Sequence, residues 1–131
     1  MDAVTETELI AVLERFCSGF ADRDAKAVMS VFGPHPDPDL VVVTSEEWLL
    51  RGPVELKRFL DRYVAGATTY SWQWDRHDVS RAGPVAWLLA EGIETAEAGG
   101  RLEQHPYRMT LVLKRREDRW VLLQVHGSSP H

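Results

Sequence analysis

Apolar positions recur every three or four residues in the first third of the chain, and alternate with polar ones through most of the second half. Leu9, Leu13, Phe16 and Phe20, with Val12 and Cys17 beside them, share one helical face. Thr5-Glu6-Thr7-Glu8 has the form of a capping box, with Thr5 as N-cap, so a first helix is expected from there to Ala21. Asp22-Arg23-Asp24 breaks the pattern. Asp24 caps a short second helix that turns Ala27, Val28, Val31 and Phe32 inward, and Gly33-Pro34 stops it. Leu40-Val41-Val42-Val43-Thr44 is β-branched and uninterrupted, a short buried strand. Ser45-Glu46-Glu47 reads as a turn and Trp48-Leu49-Leu50 as a strand pairing back. Gly52-Pro53 opens a third helix with the stripe Leu56, Phe59, Leu60, Tyr63 and Val64, ended by Gly66.

The second half predicts four long strands joined by tight turns. Tyr70 to Val79 alternates aromatic and polar residues. Arg81-Ala82-Gly83-Pro84 turns it into a strand that ends at Gly99-Gly100, and a third strand turns at Glu117-Asp118 into the last. With a tight first hairpin, Trp74 is expected opposite Glu91, Trp72 opposite Ile93 and Arg76 opposite Leu89. Opposed residues share a face. The expected concave face carries Tyr70, Trp72, Trp74, Arg76, Trp87, Leu89, Glu91 and Ile93; Ser71, Gln73, Asp75, Leu88, Ala90 and Gly92 take the other. Pro106 marks an edge or a bulge, because it cannot donate to a ladder. Beyond it Tyr107, Met109, Leu111 and Leu113 form the inward row. A slip there places Arg108 opposite Glu91. In the last strand Trp120, Leu122, Gln124 and His126 form one row, and Val121, Leu123 and Val125 the other. Both are largely apolar, and an apolar outer face needs a cover. With the helices on one side, that cover is a second copy of the chain, giving a homodimer through the outer face of the sheet that Val121→Glu or Val125→Glu would break.

Composition narrows the functional classes. A length of 131 residues suits a single domain with a core that needs no disulfide or metal. The net charge of −5 argues against nucleic acid, and Lys114-Arg115-Arg116 reads as a solvated turn. Cys17 is alone. No apolar run approaches membrane-spanning length and no basic-then-apolar leader opens the chain, so a cytoplasmic location is expected. There is no P-loop, no dinucleotide glycine fingerprint and no zinc spacing, so neither cofactor nor metal is expected. His35-Pro36-Asp37-Pro38-Asp39 invites a metal reading, but its prolines are explained by turn chemistry.

Candidate chemistry rests on a few side chains. Glu91 lies among Leu88, Leu89, Ala90 and Ile93. Inside an aromatic cavity its charged form would be disfavoured, suiting an acid or base. The competing reading turns it outward, or pairs it with Arg76 or Arg108. His126 is a possible partner at the end of the last strand, against a purely structural role. Trp72, Trp74 and Trp87, with Tyr63, Tyr107 and Met109, are candidates to line a pocket for a small apolar or aromatic ligand, or else to fill a core.

The order helix, helix, short strands, helix, four long strands resembles the nuclear transport factor 2-like superfamily. Within it the chain is similar to the SnoaL-like group, which also resembles the association domain of calcium/calmodulin-dependent kinase. The likeness is carried by Asp39-Leu40-Val41-Val42-Val43 leading to Gly52, by Ala98-Gly99-Gly100, and by Thr110-Leu111-Val112 followed by Trp120 through Ser128, with Trp120, His126 and Ser128 matching the family ending. It implies an α+β cone, a curved antiparallel sheet wrapped around three N-terminal helices with a pocket inside. It does not imply one chemistry, since the architecture hosts isomerases, cyclases, dehydratases and assembly modules. Val43 and Thr44 stand where isomerase relatives hold a carboxylate, and Phe16, Cys17 and Phe20 where they hold a tyrosine. Glu91, Leu111 and Gly127 replace the pocket arginines of the kinase domain. The expected function is therefore small-molecule binding. The alternatives are a cofactor-independent isomerase, cyclase or dehydratase using Glu91, and an oligomerisation module.

Overall fold

The computed structural model describes residues 1–44 and 48–129. Ser45-Glu46-Glu47, read as a turn above, lie outside the described residues. Helix α1 (Ala3–Ala21) is followed by α2 (Ala25–Ser30), strands β1 (Val41–Val43) and β2 (Leu49–Arg51), and α3 (Gly52–Ala65). Four long strands follow: β3 (Thr68–Ala82), β4 (Val85–Ala98), β5 (Arg101–Arg116) and β6 (Arg119–Ser128). The predicted elements are all present. They form an α+β fold in which one curved, unclosed sheet, ordered β2-β1-β6-β5-β4-β3, takes the helices on its inner side. Four of its five pairings are antiparallel and β1 joins β6 in parallel.

Two helix starts show local chemistry at work. The N-cap of α1 is Asp2, not Thr5: its carboxylate accepts from the Thr5 N–H at 2.8 Å and from the Thr5 hydroxyl at 3.0 Å. Thr5 is instead a buried first-turn residue. An ionised carboxylate three residues earlier is the stronger acceptor for the free N–H groups. Asp24 caps α2 as expected, accepting from Ala27 N–H at 3.1 Å.

Arg23, between these helices, has a left-handed backbone (φ 55°). Its guanidinium donates to the carbonyls of Tyr63, Val64, Gly66 and Thr68 and to the Thr69 hydroxyl. The C-terminal carbonyls of α3 lack helical partners, and one planar five-donor group satisfies several at once. Arg23 thereby joins the α1–α2 corner to the end of α3 and the start of β3.

Register departs from expectation twice, at the Gly83-Pro84 turn and at Asp75, so the expected pairs Arg76–Leu89, Trp74–Glu91 and Trp72–Ile93 do not form. The β3–β4 hairpin pairs Ala82 with Val85 and Arg76 with Glu91, then shifts at Asp75, so that Trp74 pairs with Gly92 and Trp72 with Glu94. A one-residue bulge inverts the side-chain alternation. Trp72 and Trp74 therefore share the inner face with Glu94, while Trp87 and Glu91 face out. Gly92 permits this: a Cβ there would overlap the Gln73 carbonyl and lie 2.8 Å from the Trp74 Cα. A second shift, between Val112 and Leu113, leaves Leu123 as the extra residue of β6. Trp120 and Leu122 are buried before it, and Val125 after it. Val121 is also buried, beneath the Gly33 turn, so neither Val121 (3% exposed) nor Val125 (2%) is available at the outer face where they were expected.

The core fills the concave side. Leu9, Leu13 and Phe16 of α1 and Leu56 and Leu60 of α3 pack with Leu88, Leu111, Leu113 and Leu122 of the sheet. Val64, expected on the α3 stripe, is exposed.

Candidate functional site: an aromatic cavity with a buried carboxylate

A cavity opens between the helices and the inner sheet face. Its helical wall is Phe16 and Phe20 of α1 and Phe59 of α3. Its sheet wall is Tyr70 and Trp72 of β3, Glu94 of β4, Tyr107 and Met109 of β5, and Val125 and Gly127 of β6. Val42, Val43, Thr44 and Trp48 close the remaining side. It measures about 430 Å³ counting the open space at its mouth, of which about 30 Å³ is wide enough for the centre of a water molecule. The rings are closely spaced: Phe20 and Trp72 meet edge to face with centroids 5.7 Å apart, and Trp48 and Phe59 lie 4.4 Å apart.

Glu94 is the charged residue among the described residues lining the cavity. It is 1% exposed. Its Oε2 accepts from the Trp72 indole N–H at 2.9 Å, and its Oε1 lies 2.9 Å from Nε2 of His105, its cross-strand partner. Burial disfavours the carboxylate and donated hydrogen bonds favour it, so this site couples any proton or ligand at Glu94 to Trp72 and His105. His105 keeps its side chain 36% exposed and so links the buried carboxylate to solvent. The Thr44 hydroxyl, also facing the cavity, is buried and without a hydrogen-bond partner among the described residues. Gly127 makes room for Tyr107, whose hydroxyl and ring edge occupy the volume that a Cβ at 127 would take.

The residues singled out from the sequence divide into three groups. Trp72, Tyr107 and Met109 line the cavity. Trp74 and Tyr63 are inward but structural. Trp74 packs against the core beside Cys17, whose thiol burial pushes up to about 12 against a small opposing effect of that indole. The Tyr63 hydroxyl donates to the Phe20 carbonyl at 2.9 Å and accepts from the Tyr70 N–H at 2.8 Å, and burial raises its phenol. Trp87, Glu91 and His126 are on the opposite face. Glu91 is 39% exposed and paired with Arg108 at 3.4 Å, outward and ion-paired as in the competing reading rather than on the expected concave face. His126 is exposed, between the inward Val125 and Gly127. Trp87 is 45% exposed. Their expected inward placement is corrected by the bulges at Asp75 and Leu123. Glu94 was missed for the same reason, and the available signal was Gly92: a glycine inside a strand pattern marks a bulge or a close backbone approach.

Asp37 of the proline-rich turn pairs with Arg116 at 2.6 Å. The Asp39 backbone N–H and Arg116 together hold its carboxyl below the usual range. No group of three or more metal-binding side chains occurs among the described residues, and none of the described helices is long and apolar enough to cross a membrane.

A curved six-stranded sheet with helices on its concave side and an aromatic cavity between them defines the conical α+β class. The chain belongs to the SnoaL-like domain family, whose sequence model matches residues 9–131. It is similar to a Streptomyces avermitilis protein of the nuclear transport factor 2-like family that is proposed to be a dehydratase, with 16% identity, 99% of each chain covered and a TM-score of 0.84. A nuclear transport factor 2-like superfamily protein from Salmonella enterica serovar Typhimurium superposes with a TM-score of 0.84 at 15% identity, covering 98% of this chain and 93% of that one. A proposed calcium/calmodulin-dependent protein kinase II association domain from Xanthomonas campestris gives 0.70 at 15% identity over 94% and 86%. At these identities the likeness is one of fold. No curated protein matches the chain.

Proposed function

We propose that the protein binds a small, largely apolar or aromatic molecule in the cavity between α1, α3 and the sheet. The observation that carries this reading is the buried Glu94 carboxylate set in an otherwise aromatic and aliphatic wall. Ligand sites combine an apolar lining with a few placed polar groups, and filling a core does not require a carboxylate. A ring-sized ligand has to make room for itself: the enclosed space is well below the roughly 150 Å³ of an apolar cavity that takes up benzene. The narrow interior requires a ring to swing aside. Trp48 is placed for this: it is half-buried and lines both the cavity and the neighbouring groove beside Tyr63 and Gly66. Isothermal titration with 2-naphthol tests the reading. Saturable one-site binding, weakened at least about tenfold by Thr44→Phe, is the expected result, scaled to a ligand that fills an apolar pocket. Absence of binding at millimolar probe overturns it.

Acid–base catalysis is a second reading, favoured by the contact of Glu94 with His105 across the ladder. Two titratable groups in different surroundings suit proton transfer. Deuterium exchange from heavy water into 2-tetralone, abolished by Glu94→Gln, is the expected signature; no exchange above the uncatalysed rate rejects it.

The same chain is proposed to act as a single unit and to dimerise through the outer sheet face, in a reducing, cytoplasmic compartment that suits the buried Cys17 thiol. The exposed Trp87 supports the dimer, with Leu89, Val112 and Leu123 half-buried on neighbouring strands. Sedimentation of Trp87→Glu checks it, with a shift to monomer expected and an unchanged mass ruling it out.

A further inference from the structure

The charge pattern of the cavity goes further than its shape. No lysine or arginine is among its described lining residues, and Glu94 is the one carboxylate there. Around it stand indole, phenol and phenyl groups from five elements or segments: Phe20, Trp48, Phe59, Tyr70, Trp72 and Tyr107. Aromatic faces carry negative potential and attract cations, most strongly when water is excluded. A carboxylate buried to 1% exposure has lost its hydration, and its charge is held by neighbouring side chains, Trp72 and His105 among them. A neutral apolar ligand would leave that charge surrounded by still less water. An anion would be repelled by the carboxylate and the ring faces alike. A cation would meet attraction from both.

We propose that the cavity is selective for small organic cations: an ammonium group carried on a one- or two-ring or similarly sized apolar body, with Glu94 as counter-charge and Trp48, Tyr70, Trp72 and Tyr107 as the surrounding faces. This rests on the reading of the cavity as a binding site and names its ligand class. The apolar body occupies the part lined by Phe16, Met109 and Val125. The ammonium N–H groups find acceptors in Glu94 and in the Thr44 hydroxyl, whose oxygen lacks another partner among the described residues. His105 sets a limit on the effect, since its protonated form would itself neutralise Glu94. Selectivity is therefore to be read at pH 8, where an alkylamine is charged.

Three probes of matched shape separate this inference from the reading beneath it: 2-phenylethylamine, 2-phenylethanol and phenylacetate, each titrated calorimetrically into the wild-type protein at pH 8. The amine is expected to bind at least about tenfold more tightly than the alcohol, with phenylacetate weakest. Binding of the alcohol equal to or better than the amine overturns the cation preference while leaving the cavity a binding site. Binding of none of the three overturns both. In Glu94→Gln, verified as folded by circular dichroism, the amine-to-alcohol ratio should fall to about one; a ratio unchanged from wild type rejects Glu94 as the counter-charge. Should that variant not fold, Tyr70→Leu provides the second reading, and an amine-to-alcohol ratio that does not drop counts against the aromatic cage.

Discussion

Glu94 and His105 face each other across the β4–β5 ladder, Oε1 to Nε2 at 2.9 Å, one side chain buried and the other open to water. The pair carries a buried charge to the surface through a single contact. Glu94→Ala leaves the Trp72 indole N–H without its acceptor and opens a void in the apolar wall. A loss of about 3 kcal/mol in unfolding free energy is expected, measured by urea denaturation. His105→Ala should cost about 1 kcal/mol, because its half-exposed ring is replaced in part by water. Equal losses for the two variants would show that Glu94 is not held as the structure has it.

Arg23 is expected to matter more than its place in a surface corner suggests. Arg23→Ala frees several carbonyls at the end of α3 and the start of β3, and a loss of about 2–3 kcal/mol is expected. Arg23→Lys should recover less than half of it, because an ammonium cannot spread over so many acceptors. Thermal unfolding of the two variants beside wild type decides the point.

Gly92→Ala and Gly127→Ala differ in what the new methyl group meets. At 92 it strikes the backbone of Gln73 and Trp74, and at 127 the end of the Tyr107 side chain. Backbone yields less than a side chain. Gly92→Ala is expected to cost more than about 3 kcal/mol and Gly127→Ala about half that, with the second variant also altering ligand affinity through the displaced Tyr107. Comparable stabilities for the two would contradict the close approach at the bulge.

Cys17 supplies a pH test. Burial raises its thiol from 9.0 to about 12. The folded state therefore holds a proton that the unfolded chain releases between those values. The contribution to stability is complete below pH 9.0 and is lost as pH rises toward about 12. At pH 8 the folded thiolate fraction is about a thousandfold below that of the unfolded chain. Iodoacetamide should therefore leave Cys17 untouched under native conditions and label it readily in 8 M urea, as read by mass spectrometry. Rapid native labelling would contradict the burial.

The outer face repeats the lesson of the cavity. Glu91 and Arg108 form an exposed pair at 3.4 Å, and such pairs are worth only about 0–1 kcal/mol. Glu91→Gln is thus expected to leave stability and ligand affinity unchanged within error. A large fall in either, followed by calorimetry and urea denaturation, would restore Glu91 to the site.

By itself the sequence determined the elements. Helical period, the caps at Asp24 and Gly66, the β-branched run at Val41–Val43 and the turns at Gly83, Gly99 and Glu117 are local properties, and each is written within a few residues. The inward row Tyr107, Met109, Leu111 and Leu113 was legible for the same reason, since no bulge interrupts it. Only the tertiary structure decided which side of β3 and β4 carries the cavity. Side chains alternate with a period of two, so the single extra residue at Asp75 exchanges Glu91 for Glu94 and Trp87 for the row that meets Trp72. That bulge is fixed by the approach of the Gln73–Trp74 backbone to Gly92, a contact between strands that no window of sequence contains.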